Sequence, residues 1–315
     1  MIDLSIIIPV YNGSNSIVSL VESLGKLRVD ERIEIVLVND NSKDDSWEKI
    51  KSIVPSKNVS LIRINFARNF GEHNAVMAGY AHATGNYIIN IDDDFQNPPS
   101  EVIKLYEYAK MHPELDVVYT YFENKKHHPL RNIGSEFTNF VAGLVIDKPK
   151  DLYLSSFRCI NRHTAETVLK YAGPYPYIDG LILQITSRIG RIRVEHHVRK
   201  SGTSGYTFRK LIRLWLAMFL NFSIFPLRFS SMLGFGLSLL GLVMTAITIF
   251  DRLYSSTPIG WASIMAGLMV FSGAQLIILG IIGEYVGRLY LTANGKPQYN
   301  ICEIMPSTDK SDNFN

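Results

Sequence analysis

Two regimes of hydrophobic patterning divide this chain. Up to about residue 200, short runs rich in Ile and Val alternate with stretches of helical period. The runs at 4–8, 33–38, 59–64, 87–91 and 117–121 predict strands, and the stretches at 16–27, 45–54, 72–82 and 100–111 predict helices. Near-continuous apolar strands separated by helices imply a mostly parallel sheet covered on both faces, an α/β fold. No internal repeat or low-complexity tract interrupts it, and the polar stretch after Pro306 reads as disordered.

The second regime is continuous apolarity. Residues 229–250 are 22 positions without a charge, and 253–283 are treated as a further run of 31. At 1.5 Å per residue the first run is about 33 Å long, enough for a hydrocarbon core of ~30 Å. Both runs are apolar all the way round, which favours two transmembrane helices over two buried helices of a soluble core. Asp251-Arg252 and the turn-prone 255–258 predict the connection between them. Tyr254, Trp261, Tyr285 and Tyr290 fall near the span ends, as interfacial aromatics do. Just before the first span, Leu211, Leu214, Trp215, Met218, Phe219 and Phe222 share one helical face, with Arg213 the only charge across 211–227. The 14 uncharged residues at 214–227 are too few to span, so an interfacial helix is expected, with a third span or an ordinary core helix as alternatives.

The expected divisions are an α/β domain at 1–208, an interfacial amphipathic helix at 209–227, a two-helix transmembrane hairpin at 228–288 and a tail at 289–315. Arg209, Lys210, Arg213 and Arg228 precede the first span, and Arg288 and Lys296 follow the second. The positive-inside rule then predicts a multi-pass protein of the inner (cytoplasmic) membrane, with the α/β domain and both chain ends in the cytoplasm. Met1-Ile2-Asp3 has no basic region, so no secretory signal is expected at the start. Glu284 and Arg288, four apart, predict an ion pair at a helix end rather than a transport role.

Composition narrows the classes. Charged residues are 19%, hydrophobic residues 47% and mean hydropathy +0.08, which excludes a disordered chain. A net charge of +3 gives no case for a nucleic-acid partner. The two cysteines, Cys159 and Cys302, are too few for a disulfide framework or a zinc cage. His127-His128 and His196-His197 lack a third ligand nearby and read as loop or strand-edge residues.

The chemistry gathers where strands end. Pro9-Val10-Tyr11-Asn12 follows the first strand, Asn39-Asp40-Asn41-Ser42 the second, Arg68-Asn69-Phe70-Gly71 the third and Asp92-Asp93-Asp94 the fourth. In an open parallel sheet, ligands bind outside the carboxyl ends of the strands, so these four clusters converge on one crevice. In an extended segment Asp92 and Asp94 would point one way and Asp93 the other. Two same-side carboxylates, with Gln96 one further i+2 step, make a hard-oxygen site for Mg²⁺ or Mn²⁺. An acidic turn capping the helix that starts at Pro98-Pro99 is the alternative. There is no Walker A loop and no GxGxxG, so a nucleotide would not be held as in kinases or dehydrogenases.

These segments resemble glycosyltransferase family 2, of the GT-A fold, across about residues 3–305. The matching pieces are SIIIPVYN, VLVNDNSKDDS, ARNFGEHNAVMAGYAHATGNYIINIDDDFQNPP and GAQLIILGIIGEYVGRLY. RNFG, DDDFQNPP and IGEYVGR point to the polyprenyl-phosphate glycosyltransferases, the group that includes bactoprenol glucosyltransferases, dolichol-phosphate mannose synthase and undecaprenyl-phosphate 4-deoxy-4-formamido-arabinose transferase. The resemblance implies a GT-A-type, Rossmann-like sheet and inverting, metal-dependent sugar transfer. It implies a nucleoside-diphosphate sugar donor, UDP-linked, and a polyprenyl (undecaprenyl) phosphate acceptor. A homo-oligomer, a tetramer, is implied in the same way. By resemblance Pro9, Tyr11 and Asp40 form the nucleoside pocket, with Arg68 in the nucleotide-binding set. Asp92, Asp94 and Gln96 form the metal and diphosphate site, Arg131 sits near the diphosphate, and Asp179 faces the sugar, a surface turn after Pro174 and Pro176 being the alternative.

Departures from the family pattern fall at three positions. Gly13 stands where many relatives carry Glu, Ser156 where they carry an Asp given a base role, and Gly205 where they carry Lys. The Gln-x-x-Arg-Trp motif of processive synthases is absent. A phosphomonoester has a second pKa near 6, so a phosphate acceptor is already anionic and needs no strong base. Without the Lys at 205, Arg199 is the expected phosphate clamp, with Lys200 and Arg209 behind it; anchoring charges at a lipid surface are the alternative. Two other functions stay open: sugar transfer to another lipid, and a non-catalytic membrane scaffold or flippase-associated subunit.

Overall fold

The computed structural model describes residues 2–27, 32–122, 152–195, 197, 225–254 and 260–306. They fall into two units, one of 1–208 with 296–315 and one of 209–295.

The first unit is built on an eight-stranded sheet. Its strands are β1 (Ile2–Val10), β2 (Arg32–Asn39), β3 (Val59–Phe66), β4 (Tyr87–Asn90), β5 (Val117–Tyr121), β6 (Arg158–Asn161), β7 (Ile189–Arg193) and β8 (Ile301–Met305), in the order β7-β5-β6-β4-β1-β2-β3-β8. Strands β4, β1, β2 and β3 are mutually parallel, as are β5 and β7. The helices are α1 (Ile17–Leu24), α2 (Ser46–Ser52), α3 (Glu72–His82), α4 (Pro99–Met111), α5 (Arg162–Val168) and α6 (Ile178–Ile185). The fold is the expected GT-A-like, mostly parallel α/β arrangement.

The alternation along β1 shows why its run is apolar throughout. Leu4, Ile6 and Ile8 join one cluster with Leu20 and Leu24 of α1 and Val102 and Leu105 of α4. Ile7 faces the other way, against α3, where Gly79 lets the helix approach so closely that a Cβ would overlap the Ile7 side chain. Both faces are therefore buried, as in a doubly covered sheet. At the opposite end from the strand-end clusters, the buried Glu34 carboxylate is fully occupied. It accepts from Ser5 Oγ (2.6 Å), Thr84 N (2.7 Å) and Thr84 Oγ1 (2.8 Å).

Three pairings depart from a parallel reading. Strand β6 is antiparallel to both neighbours, β4 and β5, and β8 is antiparallel to β3. The 289–315 segment is therefore not simply a tail, since 301–305 completes the sheet edge. Residues 174–180 are not only a surface turn either, because Asp179 lies buried in the first turn of α6.

The second unit contains α7 (Phe225–Tyr254) and α8 (Trp261–Ala293). Each holds a stretch long and apolar enough to cross a membrane, Pro226–Met244 with mean hydropathy 1.6 and Val270–Ala293 with 1.5. Almost none of those positions is buried, which a core helix of a soluble protein would not tolerate. Gly234 faces Ile278 and Gly241 faces Phe271, a pairing seven residues apart that runs in opposite directions along the two helices. They thus pack antiparallel, with a glycine opposite a large side chain at each step. Asp251 and Arg252, expected in the connection, lie inside α7, and Leu253 belongs to the last turn of that helix rather than opening the next. The expected ion pair is present: Arg288 Nη2 lies 2.9 Å from Glu284 Oε1. The expected interfacial helix falls on residues outside those described, apart from 225–227, which belong to α7.

Candidate active site

The carboxyl ends of the parallel strands bring the loops together as expected. Asn12 and Asn41 both adopt left-handed backbone (φ 57° and 51°), a conformation Asn tolerates better than most residues. The loops they sit in are laced to each other. Asn12 N donates to Ser42 Oγ (3.0 Å), Lys43 N to Asn12 Oδ1 (2.8 Å), and Asp40 N to Val10 O (2.9 Å). Asn39 Nδ2 donates to Asn65 Oδ1 (2.7 Å), which joins the ends of β2 and β3. Pro9, next to last in β1, is half-buried, and Tyr11, just past the strand, is 46% exposed, an aromatic face open to solvent.

Asp40 is only 3% exposed. Its Oδ1 accepts from Phe70 N (2.6 Å) and its Oδ2 from Gly71 N (2.8 Å). Burial raises its pKa, and those two backbone donors partly offset the rise. Gly71 takes a positive φ of 94°, which lets the chain turn from this clasp directly into α3. Asp40 thus holds the 67–71 loop in addition to any contact with a nucleoside. Arg68 is exposed, its guanidinium 4.7 Å from the Phe70 ring centroid.

The acidic triplet is not extended. Strand β4 ends at Asn90, residues 93–94 turn, and Phe95 takes φ 58°. Asp92 and Asp93 diverge. Asp92 Oδ2 accepts from Ser156 Oγ (2.7 Å), toward β6. Asp93 reaches toward β1, where a Cβ on Gly13 would overlap its Oδ2. A side chain at position 13 would therefore require Asp93 to move. Asp94 Oδ1 accepts from Gln96 N (3.1 Å), and Gln96 O accepts from His197 N (2.8 Å). That last contact ties the segment after β7 to the acidic loop.

Apart from Asp179, the wall behind this loop was not foreseen from the sequence. Glu72 and His73, at the start of α3, flank a buried pair in which Arg158 Nη1 donates to Asp179 Oδ1 at 2.5 Å. Tyr119 Oη donates to the same oxygen (2.9 Å), and Tyr80 Oη donates to Asn90 Oδ1 (2.8 Å). Burial opposes the charge on Arg158, but the adjoining Asp179 carboxylate more than compensates and keeps it cationic. The His73 imidazole is pushed down to about 4 by burial, reinforced by Arg158, so it is neutral at pH 7. Asp92 is pushed up to about 7, first by burial and then by Glu72 and Asp94, against the Ser156 hydrogen bond and Arg158. Glu72 keeps a solvent-exposed edge at the mouth of the crevice. Desolvation by the surrounding walls nevertheless raises its pKa, Arg158 opposes, and Asp179 and Asp94 add to the rise. The signal for Glu72 was its position directly after the RNFG strand-end segment.

Glu72, Asp92 and Asp179 thus stand around one guanidinium, and Asp94 lies near Glu72 and Asp92. Asp179 is taken by Arg158, and the surplus of negative charge suits a cation. Among the described residues no three His, Cys, Asp or Glu side chains converge as a metal cage. A two-carboxylate site fits a metal whose other ligands come from phosphate and water. Arg131, Arg199, Lys200, Gly205 and Arg209 lie outside the described residues, as do His127, His128 and His196.

The fold has solved counterparts. It is similar to glucosyl-3-phosphoglycerate synthase from Mycobacterium tuberculosis in complex with Mn2+ and uridine-diphosphate-glucose, at 14% identity and TM-score 0.52, over 69% of this chain and 77% of that one. The same synthase in complex with Mg2+ and uridine-diphosphate gives 15% identity and TM-score 0.51, over 69% and 78%. With phosphoglyceric acid bound it gives 15% and 0.51 over the same shares. The sequence model of glycosyl transferase family 2 matches residues 5–169, a span that contains Asp40, the 67–71 loop, the acidic triplet and Ser156. With that match over more than half of its length, the chain belongs to glycosyl transferase family 2 and is a glycosyltransferase.

Proposed function

We propose that this enzyme moves a sugar from a nucleoside diphosphate, UDP by analogy with the donor bound to the synthase it resembles in fold, to polyprenyl phosphate at the cytoplasmic face of the inner membrane. The observation that carries the reading is the hydrogen bond from Ser156 to Asp92. A serine hydroxyl is too weakly basic to serve where relatives carry an Asp, Asp92 is assigned to the metal, and Asp179 is paired with Arg158. Such a site suits an acceptor that arrives already ionised, as a phosphate does.

Tyr11 and the 67–71 loop would receive the nucleoside, with Pro9, Asp40 and Arg68 shaping that side. Asp92, Asp94 and Gln96 would hold Mg²⁺ or Mn²⁺, which offsets charge on the departing diphosphate. The acceptor oxygen attacks the anomeric carbon from the face opposite the diphosphate, the bond to the diphosphate oxygen breaks, and configuration inverts. No proton changes hands. The protein's part is to align two anions that repel each other, for which Arg131 and Arg199 are the proposed additional cations. Helices α7 and α8 support a membrane location, with both chain ends proposed on the cytoplasmic side.

Purified protein would be incubated with labelled nucleotide sugars and either undecaprenyl phosphate or diacylglycerol. Label entering an organic-extractable product with the lipid phosphate alone is the expected result. Equal labelling of diacylglycerol would overturn the acceptor assignment.

A further inference from the structure

The part of the chain that follows α8 returns to the sheet at one particular place. Strand β8 pairs with the end of β3, Arg63 to Met305 through Phe66 to Ile301, and Ala67 N extends the pairing by donating to Asn300 O (3.0 Å). Beyond that point the contacts become side-chain contacts. Tyr299 lies flat on Phe66, centroids 5.2 Å apart and planes within 12°. Phe66 is 1% exposed, and Phe70 meets the same ring edge-on at 5.6 Å. Phe70 and its neighbour Gly71 supply the two N–H groups that clasp Asp40. On the other side, Gln298 Nε2 donates to Tyr171 O (2.6 Å) and Gly173 O (2.9 Å), so the residue before Tyr299 is fixed to a second loop.

Tyr299, Phe66, Phe70 and Asp40 therefore form an unbroken line of contact. It starts more than 200 residues away in sequence and ends at the loop beside the donor crevice. We propose that the 298–300 segment is a positioning strap for the 67–71 loop, and that Tyr299 acts through Phe66 and Phe70 to set the nucleoside side of the crevice. Tyr299 itself touches no reacting atom, so it is a positioning residue. The loop between Phe66 and α3 has few other ties. Ala67, Arg68 and Asn69 are exposed; Asn69 Nδ2 adds a long bond to Asp40 O (3.3 Å), and Asn74 Nδ2, in the first turn of α3, donates to Phe70 O (2.8 Å). A loop with so few ties should loosen measurably when the aromatic one is lost.

The effect on nucleotide rests on the donor site proposed above, whereas the effect on the loop does not, and two readouts keep them apart. The first is hydrogen exchange at the Phe70 and Gly71 amides of the full-length protein in detergent, without nucleotide. Tyr299→Ala should speed exchange there, and Tyr299→Phe, which keeps the stack, should match wild type. The second is binding of UDP with Mn²⁺ and the kinetic constants. Tyr299→Ala should weaken UDP by about three- to tenfold, the range expected for loss of one aromatic pair, and raise donor KM while kcat stays within about twofold. Ile304→Ala, on the same strand but at the Ile64 pairing, should change neither readout. Should Tyr299→Ala fail to fold, Tyr299→Leu keeps apolar bulk without the stack and is held to the same outcomes. Wild-type exchange at Phe70 and Gly71 in the Tyr299 variant would overturn the proposal. So would an Ile304→Ala protein that loosens those amides equally, since the strand would then act as mere structure. If wild-type protein binds no UDP, the donor-site reading fails, and the exchange measurement still decides the strap.

Discussion

Asp179→Asn separates a structural role from a catalytic one. The side chain is nearly isosteric, but the negative charge facing Arg158 is lost. Arg158 is 3% exposed, and its other acceptor contact through Nη1 is Ser155 O at 3.2 Å. Removing one partner of a buried pair leaves the other charge without compensation, at a cost of about 3–5 kcal/mol. Asn can still accept from Tyr119, which places the expected loss near the lower end, about 3 kcal/mol. For a domain of this size each kcal/mol moves the melting temperature by about 2–4 °C, so a fall of roughly 6–12 °C is expected. The double variant Arg158→Met with Asp179→Leu removes both charges and should recover most of that loss. Thermal unfolding of detergent-purified protein, followed by intrinsic fluorescence, measures all three. An unchanged melting temperature in Asp179→Asn would refute the reasoning that this pair braces the wall of the crevice. If turnover is then lost as well, Asp179 acts on substrate.

Other predictions concern the loops and the ends of the chain. Gly13→Ala should cost about 1 kcal/mol, the low end for overpacking because the overlapping atom is the tip of Asp93, and Asp93→Ala in the same protein should relieve it; thermal melts of the single and double variants check the coupling. Because Asp92 is pushed up to about 7, the metal-free fold should lose stability as pH rises from about 4 through 7. Mn²⁺ should accordingly raise the melting temperature more at pH 8 than at pH 5.5, and a metal shift of equal size at both pH values would contradict the assignment of Asp92. In intact cells, a cysteine at Ser256 in a Cys302→Ser background should react with an impermeant thiol reagent while one at Ser307 should not, and the reverse pattern would invert the proposed orientation.

How much of this could be read from the sequence depended on whether the deciding contact was local. Strands β1 to β5 and helix α3 announced themselves because Ile- and Val-rich runs and helical period are properties of neighbouring residues. Strand β6 did not, since Arg-Cys-Ile-Asn carries a buried charge that makes sense only with Asp179, far along the chain and on a helix. The same partner explains why the prolines at 174 and 176 suggested a surface turn around a residue that is in fact buried. Strand β8 was hidden for a similar reason: five residues after a long apolar helix carry no period, and their pairing with β3 is non-local. In the site, the gathering of Pro9, Tyr11, Asp40, Arg68, Asp92, Asp94 and Gln96 at one end of the sheet was legible from their places after successive strands. The occupation of Asp40 by Phe70 and Gly71, and of Asp92 by Ser156, was not, because hydrogen-bond partners are chosen by the fold.

Everything proposed for this enzyme depends on the strand-end crevice being a metal-dependent site for a nucleoside diphosphate. Calorimetric titration of UDP, GDP, CDP and TDP into the purified full-length protein tests it most directly, with Mn²⁺ or with EDTA, in wild type and in Asp94→Asn. At least one of the four should bind wild type with Mn²⁺, EDTA should weaken it at least tenfold, and Asp94→Asn should behave in Mn²⁺ as wild type does in EDTA. Binding of none of them, or binding indifferent both to metal and to Asp94, would contradict it.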